Sequence, residues 1–311
     1  MFKKIDTNMR KPTKIFISSN ENPEYIQFWP LVASAWNHLG FDPVLALVTS
    51  QPESRWSWMR DFGEVVRFAE HDEMPSGNWA KMARWWLYSK YENEIGIVSD
   101  MDMIPLQRGY FEALPKEYNP ETHLLIKGTY DMNPQGKFPG CYMTATGKVW
   151  KEILKPEKYE SPHEWVKQFY DRARHDEKEA VNSAYDVFSE ESLMRSVVLE
   201  WDPSGDRTIR LDRPGGWQHG GVKSTSLRVD RSAWPGSERG WEEMGFSRSK
   251  SYPNDLAKPT HYEGGEFYID AHCPRPLQKY SHLIERLAKY VGVDKNLMAY
   301  GVIAANETFG K

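Results

Sequence analysis

Apolar residues come in short, dense runs through the first half of the chain. Lys14 to Ser18 (Lys-Ile-Phe-Ile-Ser), Val44 to Thr49 (Val-Leu-Ala-Leu-Val-Thr), Val65 to Phe68 and Ile95 to Val98 lack an in-and-out alternation. That is the pattern of strands covered on both faces. Between them the spacing turns helical. From Glu24 to Leu39, Ile26, Trp29, Val32, Ala33, Trp36 and Leu39 recur on one face and Gly40 supplies a stop, and from Asn78 to Tyr91 the stripe is Trp79, Met82, Trp85, Trp86 and Tyr88. Strand, helix, two strands, helix, strand predicts an α/β fold built on an open, mixed but mostly parallel sheet with helices on both faces.

The second half is looser. Leu124 to Lys127 and Cys141 to Thr144 read as strands on either side of a polar loop, Tyr130 to Pro139. Helices are expected at Lys148 to Leu154, His163 to Arg174 and Glu190 to Leu199, the last with Ser189 as its N-cap. Asp202 to Tyr262, rich in Gly, Pro, Trp and Ser, predicts loops over the sheet and a small hairpin. Phe267 to Asp270 reads as a last strand and Leu277 to Val291 as an amphipathic helix. With no repeat, residues 1–311 read as one domain whose halves are 13–150 and 151–311.

Composition narrows the classes. The 40 Lys and Arg against 44 Asp and Glu give a net charge of -4, without the basic footprint of a nucleic-acid partner. The N-terminus lacks the apolar core of a signal peptide, and no run of apolar residues is long enough to make a transmembrane segment, so a soluble, cytoplasmic protein is expected. Cys141 and Cys273, far apart and outside any C-x-x-C pair, are expected to be thiols rather than a disulfide or zinc site.

The chemistry concentrates where Ile95 to Val98 runs into Ser99-Asp100-Met101-Asp102, with Pro105 as the stop. Ligands of open α/β sheets bind beyond the carboxyl ends of the strands. In an extended backbone Asp100 and Asp102 would point the same way, with α-carbons about 7 Å apart. Carboxylates brought within about 4 Å repel by about 4 kcal/mol at an effective dielectric of about 20. A hard divalent cation, Mg2+ or Mn2+, relieves that; two solvated acids at a strand end are the plain alternative. Ser18, Ser19 and Asn20 follow the first strand at the same edge. Lys81 and Arg84, three apart, share a helix face and could hold an anion.

Two further segments compete for a third metal ligand. His219, followed by Gly220, Gly221 and Lys223, could place an imidazole on the metal and an ammonium on a phosphate; Asp270 and His272, which point the same way from a strand end with Arg275 close behind, could supply that ligand instead or equally lock the C-terminal helix. Either Glu190 or Glu191 could act as a general base.

The order of elements over residues 13 to 150, with Lys81 and Arg84 before the strand that enters Asp100-Met101-Asp102, resembles the GT-A (Rossmann-like) glycosyltransferases that use nucleotide sugars. Bacterial and viral members look comparable, and for a viral member the setting would be the host cytoplasm. The resemblance implies Mn2+ or Mg2+ held by Asp102 directly, with Asp100 on metal or ribose and Ser18 to Asn20 near the base. The implied donor is a nucleoside-diphosphate sugar, with UDP-sugar favoured, and the implied acceptor is a carbohydrate or other hydroxyl. His219 to Lys223 is similar to the His, Gly and Lys signature of the glycogenin and galactosyltransferase-like group, but its spacing is shorter, so His219 and His272 both stand. The rival functions are nucleotidyl transfer and non-enzymatic carbohydrate binding.

Overall fold

The computed structural model of the chain describes residues 10–72, 74–129, 138–168, 190–212, 228–229, 269–275 and 280–310. Seven strands form one sheet in the order β3-β2-β1-β4-β7-β6-β8. β1 (Lys14–Ser19), β2 (Asp42–Val48), β3 (Glu64–Phe68) and β4 (Ile95–Val98) run parallel. β7 (Met143–Thr146) lies antiparallel between β4 and β6 (Leu124–Thr129), and β8 (Thr208–Asp212) closes the far edge parallel to β6. The sheet is therefore mixed and mostly parallel, as expected. A second sheet sets β5 (Met103–Pro105) antiparallel to β10 (Asp270–His272), which pairs with β9 (Arg228–Val229).

Burial on both faces explains the unbroken apolar runs. Ile15, Ile17, Leu45 and Leu47 pack into one core with α2 (Trp29–His38) and with the helices α9 (Ser281–Tyr290) and α10 (Asn296–Phe309). Phe16, Val44, Ala46 and Val48 pack into the other, against α4 (Ser76–Tyr88), α6 (Gly147–Leu154) and α8 (Glu190–Trp201); α3 (Glu53–Trp56) and α5 (Arg108–Glu112) are short helices that follow β2 and β5. The Tyr88 hydroxyl, buried between Gly96 N–H and the Ala145 carbonyl, ties α4 to β4 and β7. Between α6 and α8, α7 is helical over 162–168, and the rest of the expected His163 to Arg174 helix lies outside the described residues, as do Ser189 and Phe267.

Several expectations need correction. The helix read from Glu24 to Leu39 is two helices, α1 (Pro23–Ile26) and α2. Pro30 sits in the first turn of α2, where its missing N–H costs nothing; inside one continuous helix its ring would collide with the carbonyl four residues back. The Asp100 segment is not extended. β4 ends at Val98, and a turn closed by Met103 N–H on the Asp100 carbonyl (3.3 Å) separates it from β5. Met101, 3% exposed, anchors that turn in the core beneath α2. β7 begins at Met143 because Tyr142 has φ of 61°, a left-handed backbone that cannot continue a strand.

The region expected to hold only loops and a hairpin contributes β8, and α10 was not anticipated. No disulfide joins Cys141 and Cys273, both buried. Among the described residues no helix is long and apolar enough to cross a membrane.

Candidate functional site

A cavity of about 280 Å3 opens at the carboxyl ends of β1 and β4. Its lining gathers Ser18, Ser19 and Asn20 from the end of β1, Lys81 and Arg84 from α4, Asp100 and Asp102 from the turn after β4, Glu190 from the start of α8, and His272 from β10. Elements from both halves of the chain thus meet where the parallel strands end.

The β1 loop is held from within. Asn20 donates to Ser76 Oγ (3.1 Å) at the head of α4 and accepts from Asn22 N–H (3.3 Å), while Asn22 caps α1 through Glu24 N–H (3.0 Å). Asx side chains satisfy the backbone of such turns without regular structure. Glu21 takes Ser50 N–H (2.9 Å), tying this loop to the one after β2.

The two cations of α4 do different work. Arg84 has a side chain only 4% exposed; its Nη1 donates to the Ser99 carbonyl (2.8 Å) and to Asp100 Oδ1. Burial works against its charge, but Asp100 and Glu190 outweigh that and raise its affinity for the proton. Its Nε is buried without a hydrogen-bond partner. Arg84 therefore stands behind Asp100 and fixes its orientation. Lys81, 36% exposed, meets Glu190 Oε2 at 3.5 Å on the open side.

Asp102 is held more deeply, its side chain 4% exposed. Its Oδ2 lies 3.6 Å from His272 Nε2 and 3.7 Å from Arg275 Nε, and its backbone carbonyl accepts Cys273 N–H at 2.8 Å. The guanidinium of Arg275 stacks 4.1 Å from the ring centre of Tyr25, which also lines the cavity. The β5–β10 pairing, with His272 opposite Met103, makes this contact. Asp270, fully buried, does not line the cavity with His272.

Of the two candidate bases only Glu190 lines the cavity. Glu191 turns to the chain before β7, where its Oε1 lies 3.4 Å from Gly140 N. Gly140 is wedged in place: a Cβ there would be 3.0 Å from Arg84 Nη2 and 3.7 Å from Glu190. His219 and Lys223 lie outside the described residues.

Among the described residues no group of three or more His, Cys, Asp or Glu side chains is gathered closely enough to hold a metal. Ligands about 2.1 Å from one octahedral ion stand about 3.0 Å apart as neighbours or about 4.2 Å apart across it, so Asp102 Oδ2 and His272 Nε2, at 3.6 Å, would have to close by about 0.6 Å to share an ion as neighbours. Asp100 borders the same cavity, and carboxylate oxygen and imidazole nitrogen are donor types that Mn2+ accepts.

Tyr25, Gly77 and Ala80 line the cavity and were missed by sequence reasoning, and of these Tyr25 carries the chemistry. It sits one position before the apolar stripe that begins at Ile26, in the first turn after a polar loop, and that offset was the available signal.

No protein-family model matches the sequence, and no curated protein does. Two crystal structures of the glycosyltransferase GlyE of Streptococcus pneumoniae TIGR4, one in the apo form, are similar to the chain, with TM-scores of 0.47 and 0.48 at 13% and 10% identity. Each comparison covers 94% of this chain and 63% of the neighbour, so the chain spans less than two thirds of their length. At that similarity the overlay bears on neither substrate nor catalytic residues.

Proposed function

We propose that the chain is a metal-dependent glycosyltransferase of the GT-A kind, which moves a sugar from a nucleoside-diphosphate sugar, UDP-sugar first among the candidates, to the hydroxyl of a carbohydrate or other acceptor. The observation that carries the reading is one cavity, at the carboxyl edge of a mostly parallel sheet, that brings Asp100, Asp102 and His272 together with Lys81 and Glu190.

Bound to Asp100, Asp102 and His272, Mn2+ or Mg2+ would supply Lewis acidity toward the donor diphosphate. The side chains divide the remaining tasks. Lys81 reaches the anionic oxygens from the open side of α4 and stabilises charge that grows on the leaving diphosphate. Arg84 holds Asp100 in one orientation, and Arg275 holds Asp102. Ser18, Ser19 and Asn20 approach the nucleoside, with Tyr25 as the aromatic surface beside them. Glu190 is placed to take the proton of the acceptor hydroxyl. His219 and Lys223 remain candidates for a further metal ligand and a phosphate contact.

Against nucleotidyl transfer, the segment Ser18-Ser19-Asn20-Glu21-Asn22, which ends β1 and follows it, is neither glycine-rich nor basic. The test is calorimetric titration with UDP and with GDP, each with Mn2+ and with EDTA. Metal-dependent binding of one nucleotide is expected. Binding of neither overturns the reading in favour of a non-enzymatic module.

A further inference from the structure

Lys81 and Arg84 lie nearly one turn apart on the same face of α4, and each is met by an acid from a different element. The two pairs are not equivalent. Arg84 is buried and its Nη1 is shared between Asp100 and the Ser99 carbonyl, so that pair is part of the frame. Lys81 and Glu190 are 36% and 22% exposed, both border the cavity, and the 3.5 Å between their charged atoms is longer than a tight charge-assisted hydrogen bond. A phosphate that approaches Lys81 must therefore enter beside a carboxylate already in contact with it.

We infer that Glu190 is an anionic placeholder: its carboxylate neutralises Lys81 in the ligand-free protein and yields that ammonium to the entering diphosphate. This rests on reading the cavity as a diphosphate site. Two negative groups cannot share one ammonium at close range without repulsion, so the incoming phosphate displaces Glu190 from Lys81. The displaced carboxylate remains on the cavity wall, where it can meet the acceptor hydroxyl. Donor affinity is held down by the placeholder, and the same residue serves the second substrate.

The experiment measures Kd for inorganic pyrophosphate and for UDP, both with Mn2+, on wild type, Glu190→Gln, Lys81→Met and the double variant. An exposed ion pair is worth up to about 1 kcal/mol, or about fivefold in affinity. Glu190→Gln is expected to bind pyrophosphate about two- to fivefold more tightly than wild type while its kcat falls. The gain should vanish when Lys81 is already Met, and shrink in high salt. A gain in affinity, unlike a loss, cannot come from a misfolded variant. Wild-type binding with unchanged or weaker binding by Glu190→Gln overturns the placeholder alone, as does a gain that survives the loss of Lys81. No binding of either ligand by wild type overturns the diphosphate site itself.

Discussion

His272 Nε2 stands 3.6 Å from Asp102 Oδ2, although one residue comes from the last described strand and the other from the turn that ends the fourth. The contact depends on the backbone pairing of β10 with β5 and on Cys273 N–H, which holds the Asp102 carbonyl at 2.8 Å. If this pair and Asp100 hold the metal, Asp102→Asn should weaken Mn2+ and metal-dependent UDP binding by at least about tenfold with the fold retained. Isothermal titration and circular dichroism check both halves of the prediction. Unchanged turnover in the variant would remove the metal site.

The two histidine candidates separate in the same assay. His272→Ala should lose Mn2+ affinity and His219→Ala should not, if the Asp102 partner is the ligand. The reverse result assigns the third ligand to His219, and equal small effects sink both assignments.

Gly140→Ala tests whether Arg84 orients Asp100. The new methyl carbon would lie 3.0 Å from Arg84 Nη2, close enough to force a shift of a few tenths of an ångström. Weaker nucleotide binding is expected, with stability changed by about 1 kcal/mol or less, since the required shift is only a few tenths of an ångström at one side-chain end. Denaturant unfolding beside titration distinguishes this from general damage.

Lys127 supplies a pH dependence away from the cavity. Its Nζ donates to the carbonyls of Tyr110 (2.6 Å) and Phe111 (3.1 Å), and burial pushes its ammonium down to about 7. Between about pH 7 and the ordinary lysine value of about 10.4 the unfolded chain holds a proton that the folded chain has released. The contribution of this residue to stability is therefore lowest below about pH 7 and rises with pH through that window. Wild type should gain stability relative to Lys127→Met between pH 7 and pH 9 in urea unfolding; parallel curves would show that the amine keeps its proton.

Gly301 is where α10 meets the start of α2. A Cβ there would lie 2.2 Å from the Gln27 carbonyl oxygen and 3.3 Å from Pro30 Cδ. Gly301→Ala is expected to cost about 1 to 3 kcal/mol, because backbone on the opposite side must move. The readout is the midpoint of denaturant unfolding. An unchanged or raised midpoint, from the better helix propensity of alanine, would mean that α10 packs less closely than this.

By itself the sequence determined the parallel half of the sheet and the edge that carries the acids. Those features are written in local periodicity: runs such as Phe16-Ile17 and Val44-Leu45 feed two opposite cores, and such runs can be read without knowing what packs on them. Lys81 and Arg84 were likewise legible as neighbours on one helix face, and Ser18 to Asn20 as a group at that edge, although Ser18 and Ser19 end β1 itself and only Asn20 lies in the loop. Only the tertiary structure decided that Asp100 and Asp102 flank a turn, because burial of Met101 overrides the period of two. It also chose Glu190 over Glu191 for the cavity, set Arg84 behind Asp100, and brought His272 and Arg275 to Asp102. α10 was not legible because, between Met298 and Phe309, its buried positions are the small Gly301, Ala304 and Ala305 and the polar Thr308, which make only a weak apolar stripe. A three-residue strand such as Asp270–His272 has no periodicity to read; its place is set by backbone hydrogen bonds to a distant strand, and those leave no pattern in its own residues.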